Sequence, residues 1–352
     1  MAYATINDPS AQFQAQLYTG NATTSTNITN TGNANLQPDF VWIKNRTGGA
    51  DWHDLTDTNR GATKSLFSNT NSAEGTAAQS LQAFLTDGFT IGSDAQVNRN
   101  ANNYVAWQWK ANGGTTASNS NGSITSTVQA NTTAGFSIVT YTGNNTSGAT
   151  VGHGLGVAPD TIILKARGIA DQNWFVNTPV GGGVGYMMLN QTNADSGSNS
   201  SVWNSTTPTA TVFTLGNSGG VNDSTTYVAY CFKSIKGYSK MGNYSGNGNS
   251  NGPFVYTGFS PAWVMIKNTA GSTNWNMYDN KRSTFNKADD ILMANASDAE
   301  SAVSGKSIDF LSNGFKLRGS DNETNNYGNV HFYMAFAQNP LVATNDVIAL
   351  AR

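Results

Sequence analysis

The chain has one cysteine in 352 residues, and this excludes an intramolecular disulfide framework. We interpret Cys231, which lies in the apolar run YVAYCF, as a small buried hydrophobe. Charge is also scarce, since 11% of the residues are Asp, Glu, Lys or Arg against about a quarter in ordinary soluble domains. With a net charge of −2, the chain lacks the basic surface that a nucleic-acid duplex or an anionic membrane requires.

Long apolar runs and helical patterns are missing as well. No run reaches the length of a membrane span, and the opening MAYATINDPS lacks the basic and apolar regions of a secretory signal. We therefore expect a protein made in a cytoplasm, without membrane insertion. Residues 77–85 come closest to the apolar spacing of a helix.

Short strand-like runs fill the space between polar loops. FVWIKN, TIILKA and WVMIKN are rich in β-branched and aromatic residues, and clusters of Asn, Gly, Ser, Thr and Pro surround them. In FSIVTYTG both alternating faces carry apolar residues, which indicates a sheet covered on both sides. The Gly-Phe pairs at 88–89 and 314–315 predict tight turns that lead into a strand. These patterns predict antiparallel β-sandwiches.

The same order of features occurs three times along the chain. Each copy has an aromatic strand ending in glycine, a strand after a proline, a tryptophan, a strand containing Phe and a terminal aromatic strand such as YVAWQW, YVAYCF or FYMAFA. The sequence therefore predicts an all-β fold of three tandem antiparallel sandwich modules. We place them at residues 1–112, at 113–235, which begins with a linker rich in Asn, Gly, Ser and Thr, and at 236–352.

Two features recur as a module signature. Trp52, Trp174 and Trp275 occupy the same place in the order, and we interpret them as core or inter-strand packing. Asp57 with Arg60 and Asp279 with Arg282 follow that tryptophan in the first and third modules. A ligand clamp is one interpretation, but an ion pair that fixes the loop is favoured because the second module lacks the pair.

The residues do not nominate a catalytic site. None of His53, His153 and His331 stands in a recognisable motif with a nucleophile, and Glu74, Glu300 and Glu323 lie in loops that do not correspond between modules. A pair of aspartates remains an open alternative. We predict that the protein is not an enzyme and that it has no cofactor.

Calcium is an alternative for two loops. Asp94 with Asn98, and Asp321 with Glu323 and Asn325, place oxygen donors after Gly-Ser. Neither loop has the glycine and glutamate spacing of a calcium loop, so solvated turns are favoured and no metal is predicted.

Candidate recognition residues lie in polar loops. Trp203 and, less strongly, Tyr278 could present an aromatic face to a sugar or to another subunit. Asp321 and Asn325 complete the set of candidates for contact with a glycan receptor.

Several long strings resemble a known group of proteins. NGSITSTVQANTTAGFSIVTYTGN, ATVGHGLGVAPDTIILKA, GPFVYTGFSPAWVMIKN, FLSNGFKLRGSD and the opening MAYATINDPSAQFQAQLYTGN resemble tandem-module virion proteins of marine tailed phages, including those that infect cyanobacteria. The resemblance covers almost the whole chain. It implies modules similar to jelly-roll, laminin-G or concanavalin-like sandwiches.

The resemblance also implies a place on the virion surface, in a tail fibre or a capsid appendage, after release by lysis. The expected role is host-surface attachment, with a purely structural decoration or fibre subunit and a glycan-degrading tailspike as alternatives. The expected partners are other virion proteins, further copies of the chain in a homo-oligomer, most simply a trimer, and host-surface glycan.

Overall fold

Antiparallel strands make up nearly all of the regular structure. The computed structural model describes residues 4–48 and 50–340, which form three large sheets and three small ones. The all-β sandwich prediction is therefore confirmed. None of the helices in these residues has the length and apolar character of a membrane-spanning segment.

The first unit contains one six-stranded sheet and one three-stranded sheet. The large sheet has the strand order β1-β9-β3-β4-β5-β6 and the small sheet β2-β8-β7. The elements are a 3-10 turn Pro9–Ala11, β1 Phe13–Thr19, β2 Thr26–Ile28, β3 Phe40–Asn45, β4 Asp54–Asp57, β5 Lys64–Phe67, β6 Gly75–Thr76, β7 Leu81–Leu85, β8 Gly88–Ile91, α1 Ala95–Asn98 and β9 Asn103–Trp109.

The second unit has a seven-stranded sheet, β10-β11-β12-β18-β14-β15-β16, and the pair β13-β17. Its elements are β10 Ala117–Asn119, β11 Ser126–Asn131, β12 Phe136–Thr142, β13 Thr150–Gly152, β14 Thr161–Ala166, β15 Phe175–Asn177, a 3-10 turn Val180–Gly182, β16 Met187–Met188, α2 Ser200–Trp203, β17 Val212–Thr214, α3 Gly219–Asn222 and β18 Thr226–Phe232.

The third unit returns to the strand order of the first, with β19-β27-β21-β22-β23-β24 and β20-β26-β25. Its elements are β19 Ser239–Ser245, β20 Phe254–Tyr256, β21 Phe259–Asn268, β22 Asn276–Asp279, β23 Asp290–Met293, β24 Ser301–Ala302, a 3-10 turn Ser304–Lys306, β25 Ile308–Leu311, β26 Gly314–Leu317, α4 Asn322–Asn325 and β27 Val330–Pro340.

Residues 77–85 do not form a helix. Leu81–Leu85 is strand β7, and it joins β8 through a turn in which Gly88 has a φ of +105°. An added Cβ at Gly88 would lie 2.0 Å from the carbonyl oxygen of Ile28, so the tight turn predicted from Gly-Phe requires glycine here.

Each large sheet buries both faces. In the first two units one face packs under the small sheet, in separate apolar clusters around Phe89 and Phe213. The opposite faces of all three large sheets meet in one shared core. At its centre the ring centroids of Trp109, Phe232 and Phe336 lie 5.5–6.4 Å apart.

Those three rings hold equivalent positions, since each lies opposite the first residue of β1, β12 or β19 in the strand register. The three units are therefore arranged around a pseudo-threefold axis. Residues from different units can be compared through this register.

Candidate functional sites at the junctions and on the surface

Trp174 and Trp275 close two of the three junctions between units. Both are buried, and each indole Nε1 donates to a carbonyl oxygen of the preceding unit, Trp174 to Phe67 at 2.9 Å and Trp275 to Met188 at 3.0 Å. These contacts make the two tryptophans part of the inter-unit packing.

The prediction that Trp52 is equivalent to Trp174 and Trp275 is wrong by one residue, because the equivalent residue is His53. Trp52 is 41% exposed, and His53 is the residue that immediately precedes β4, as Trp174 precedes β15. The Nε2 atom of His53 lies 3.1 Å from the carbonyl oxygen of Met293 in the third unit. Its Nδ1 accepts a 2.8 Å hydrogen bond from the indole of Trp42, and burial lowers the pKa of His53 well below its usual value. A neutral imidazole therefore replaces the indole here.

The two Asp-Arg pairs are buried at the junctions. The side chains of Asp57, Arg60, Asp279 and Arg282 have no exposed surface. Asp57 accepts a 2.7 Å hydrogen bond from the Tyr230 hydroxyl of the second unit. Such groups are inaccessible to a ligand, so the pairs hold neighbouring units together.

Two glutamates extend these pairs across the junctions. Glu74 accepts from Arg60 at 3.0 Å and from Arg167 of the second unit at 2.9 Å. Glu300 does the same with Arg282 at 2.9 Å and Arg46 of the first unit at 2.6 Å. The prediction that the glutamate loops do not correspond is therefore wrong for these two. Both glutamates immediately precede a strand, β6 or β24, but Glu74 follows Arg60 by 14 residues and Glu300 follows Arg282 by 18, which hid the match.

The junction between the second and third units lacks this network. In the strand register, Thr178 and Gly181 stand at the positions that Asp57 and Arg60 hold in the first unit. Thr269 stands at the position of Arg46 and Arg167, the arginines that bond the glutamates from the neighbouring unit. Asp195 occupies the place of the glutamates, with its backbone N–H donating to the Thr269 carbonyl at 2.8 Å. Burial raises the pKa of the Asp195 carboxyl.

Three buried lysines were missed by the sequence analysis. Lys44, Lys165 and Lys267 occupy one register position in β3, β14 and β21, and all three are fully buried. Desolvation lowers the pKa of each ammonium group to about 8. Their Nζ atoms donate mainly to backbone carbonyls, as Lys44 does to Asp51 at 2.7 Å and to Ser297 at 2.8 Å. The lysine that recurs in FVWIKN, IILKA and WVMIKN is the sequence signal that could have identified these equivalent positions.

The other two histidines also have structural partners. His331 stacks on Tyr244, with the two ring centroids 5.0 Å apart, as Tyr104 stacks on Tyr18 and Tyr227 on Tyr141. The buried His153 lies 3.1 Å from the Thr209 carbonyl oxygen through Nε2.

The two loops considered for calcium are helix caps. Asp94 and Asp321 accept hydrogen bonds from the backbone of the first turns of α1 and α4. Asn325 is fully buried and donates to the carbonyls of Asn249 and Gly319, so its candidacy for glycan contact is wrong. In the described part of the chain no three or more His, Cys, Asp or Glu side chains are grouped to hold a metal ion.

The two loop aromatics proposed for recognition are buried. Trp203 ends α2 and packs edge-on against Phe213, while Tyr278 lies in β22 and its hydroxyl donates to the Lys306 carbonyl at 2.7 Å. Both are at most 1% exposed, so neither can stack on a sugar at the surface. The polar residues around them in sequence concealed that each side chain fills a core.

The third unit exposes aromatics on its small sheet instead. Phe254 and Tyr256 in β20 are 45% and 47% exposed, while Val255 between them is buried. The Lys240 Nζ lies 5.6 Å from the centroid of the Tyr256 ring, and Lys316 is directly opposite Phe254 in the strand register. At the equivalent positions the first unit has Asn27 and Thr29, and the second has Thr150 and Gly152.

A cleft of about 160 Å³ lies where the first unit meets the third. Its floor is apolar and includes Phe13, Ala15 and Ala337, and its rim is polar and includes Lys281 and Gln338.

Comparison with known proteins gives one match. No curated protein and no solved structure matches this chain. A family model matches residues 8–340, which span all three units. The chain therefore belongs to the family described as a domain of unknown function (DUF7483).

Proposed function

We propose that this chain is a virion protein displayed on the particle surface, in a tail fibre or a capsid appendage, and that it contributes to host-surface attachment. The resemblance to tandem-module virion proteins of marine phages motivates the proposal. The observation that carries it is the pair Phe254 and Tyr256, exposed on a rigid sheet in one unit only.

The scaffold around this pair suits recognition. Three sheets enclose one aromatic core, and buried ion pairs fix two of their junctions. Side chains on a sheet held in this way keep their positions, which lowers the entropy lost on binding. The core is closed within one chain, so its burial needs no second copy. A homo-oligomer remains part of the proposal.

The chemistry of the surface favours an acidic glycan. Flat aromatic faces can pack against the C–H groups of a sugar ring. Lys240 and Lys316 add positive charge beside the two rings. Asp309 lies opposite Lys316 but bonds Arg318 at 3.2 Å, so positive charge dominates. A polysaccharide that carries carboxylate or sulfate groups is complementary to this surface.

The test replaces Phe254 and Tyr256 by the residue types that the first unit has at the equivalent positions, Asn27 and Thr29. The purified chain and the double variant Phe254→Asn with Tyr256→Thr are mixed with intact marine bacterial cells and with their purified acidic polysaccharides. We expect retention of the wild type and loss of retention in the variant. The variant Phe285→Ser with Tyr327→Ser removes two other exposed aromatics and serves as the matched control. Failure of the wild type to bind any cell or polysaccharide would exclude attachment.

A structural decoration is the second candidate, and the inter-unit ion pairs favour it because they stabilise a rigid body. Particles that lack the protein distinguish the two roles. Normal adsorption with loss of particle integrity supports decoration, whereas reduced adsorption of intact particles supports attachment.

A further inference from the structure

Among the described residues, the large sheet ends at β1 in the first unit and at β19 in the third, and only in the second unit do further strands cover the corresponding edge. In the second unit, β11 covers the outer edge of β12, with Gln129 opposite Ile138 in antiparallel register. In the first unit, β1 is the last strand of its sheet and pairs only with β9 among the described residues. Within residues 4–48 and 50–340, no strand beside β1 fills the position that β11 fills in the second unit.

The backbone of β1 presents free pairing groups along this edge. Gln12 and Gly20 flank the strand and bond the chain around β9, through Lys110 N to Gln12 O at 3.0 Å and Gly20 N to Asn102 O at 2.8 Å. Because bonded and non-bonded positions alternate in an antiparallel ladder, the N–H and C=O groups of Phe13, Ala15 and Leu17 point away from β9. The Leu17 carbonyl accepts from the Gln16 Nε2 at 2.8 Å, so the pairing groups of this edge are those of Phe13 and Ala15 and the N–H of Leu17.

The cleft lies at the site of the missing strand. In the second unit the fully buried Gln129 reaches the first unit, where the Thr58 hydroxyl donates to its Oε1 at 2.6 Å. The register makes Ala15 equivalent to Ile138, and Asn280 equivalent to Thr58. Ala15 and Asn280 both line the cleft of about 160 Å³. The cleft therefore occupies the place of the Gln129 side chain.

We propose that the edge of β1 takes an extended segment of another polypeptide as an added antiparallel strand, with a carboxamide side chain of that segment in the cleft. Sheet edges of this kind are templates for strand addition. The inference is independent of the particle role, because it rests only on the comparison between two units of one chain.

The added strand should resemble β11, which covers the equivalent edge in the second unit. The residue opposite Ala15 carries a Gln or Asn side chain, whose stem packs on Phe13 and Ala337 and whose amide meets the polar rim near Lys281 and Gln338. The backbone groups that face β1 must bond it, so proline is excluded there. A uniformly apolar segment fits less well.

The probe is a synthetic peptide with the sequence of residues 124–133, ITSTVQANTT, which contains β11. Binding to the full chain is measured by titration calorimetry, and the site by hydrogen exchange of the complex. We expect slower exchange of the Phe13, Ala15 and Leu17 amides. A peptide with alanine in place of the residue corresponding to Gln129 should bind about five- to tenfold more weakly, as expected for the loss of a hydrogen bond and its packing.

The variant Ala15→Pro removes the central N–H of the edge, where proline is tolerated because that group is not used within the sheet. It should fold and lose peptide binding. Ile138→Pro is the matched control, because the same change at an edge already paired with β11 should lower the melting temperature. Ala15→Met, which fills the cleft without changing the backbone, gives a second test if Ala15→Pro does not fold.

Absence of peptide binding by the wild type overturns the proposal. So does peptide binding that leaves the β1 amides unprotected or that Ala15→Met does not weaken. If the wild type dimerises and Ala15→Met abolishes the dimer, the added strand belongs to a second copy of the chain and not to another polypeptide. Displacement of the peptide by simple sugars would instead assign the cleft to a sugar.

Discussion

Arg46 and Glu300, from the first and third units, bond each other through both side chains and backbones. The guanidinium Nε and Nη2 lie 3.0 and 2.6 Å from the two carboxylate oxygens, and the Glu300 N–H donates to the Arg46 carbonyl at 2.9 Å. Arg167 and Glu74 repeat all three bonds between the second and first units. Each of these two junctions thus joins a bidentate ion pair to a backbone contact, whereas the junction of the second and third units has only the backbone contact.

Glu300→Ala should destabilise the chain by about 3 kcal/mol, because it leaves the fully buried Arg282 without one of its acceptors. Chemical denaturation at neutral pH measures the loss. Lys233→Met is the control, since the partly exposed pair of Lys233 with Asp160 should contribute less than about 1 kcal/mol. Equal losses in the two variants would mean that the junction network contributes no more to stability than a partly exposed ion pair does.

The junction of the second and third units can be given the missing network. Thr269→Arg combined with Asp195→Glu places a bidentate pair where the backbones are already bonded. We expect a gain of about 1 kcal/mol and a higher melting temperature. Thr269→Gln with Asp195→Glu is the uncharged control. A variant pair no more stable than this control would show that the third junction has a different geometry.

His331→Tyr should remove part of the acid sensitivity of the fold. Burial lowers the pKa of His331 to about 4, so the folded state keeps it neutral while the unfolded chain binds a proton below about pH 6.5. Stability is therefore lost as the pH falls from about 6.5 towards 4, by on the order of 2 kcal/mol from this residue.

Tyrosine fits the site, because Tyr104 and Tyr227 occupy it in the other units. Their hydroxyls accept from the backbone N–H groups of Arg99 and Asp223, as His331 Nε2 accepts from that of Asn326. Unfolding of His331→Tyr at pH 4.5 and 7 measures the effect. The reverse change, Tyr227→His, should add acid sensitivity, and its absence would contradict the explanation.

The three buried lysines should make the chain more stable in mild alkali. Their pKa values of about 8 in the folded state lie below the usual 10.5, so above about pH 8 the unfolded chain binds more protons and stability rises with pH. The raised pKa of Cys231, about 12, opposes this above about pH 9, and the raised pKa values of buried tyrosines such as Tyr238 oppose it above about pH 10. One cysteine cannot outweigh three lysines, so stability should have its maximum between about pH 9 and 10, where the tyrosines begin to oppose the rise.

Denaturant unfolding between pH 7 and 10.5 measures this profile. Lys165→Met should reduce the rise by about a third, since one of three equivalent groups is removed. A stability that falls steadily from pH 7 would contradict the assignment of buried ammonium groups.

The site residues show where sequence reasoning reached its limit. Order along the chain identified Trp174 and Trp275 as equivalent, but only the strand register showed that His53, and not Trp52, completes the set. Trp203 was assigned to a loop surface because its sequence neighbours are polar, yet it is 1% exposed. Periodicity describes neighbours along one strand and carries no information on which side chains another unit covers.

Local sequence was enough to predict the β-rich character of the chain and the recurrence of its strands, because turn residues and strand-like runs act on neighbouring residues. The packing of the units was needed to reveal that three sheets share one core, that Glu74 and Glu300 bridge units, and that no strand of the described residues covers the outer edge of β1. These relationships join residues far apart in sequence, and they depend on register and on the packing of whole sheets, which no local pattern records.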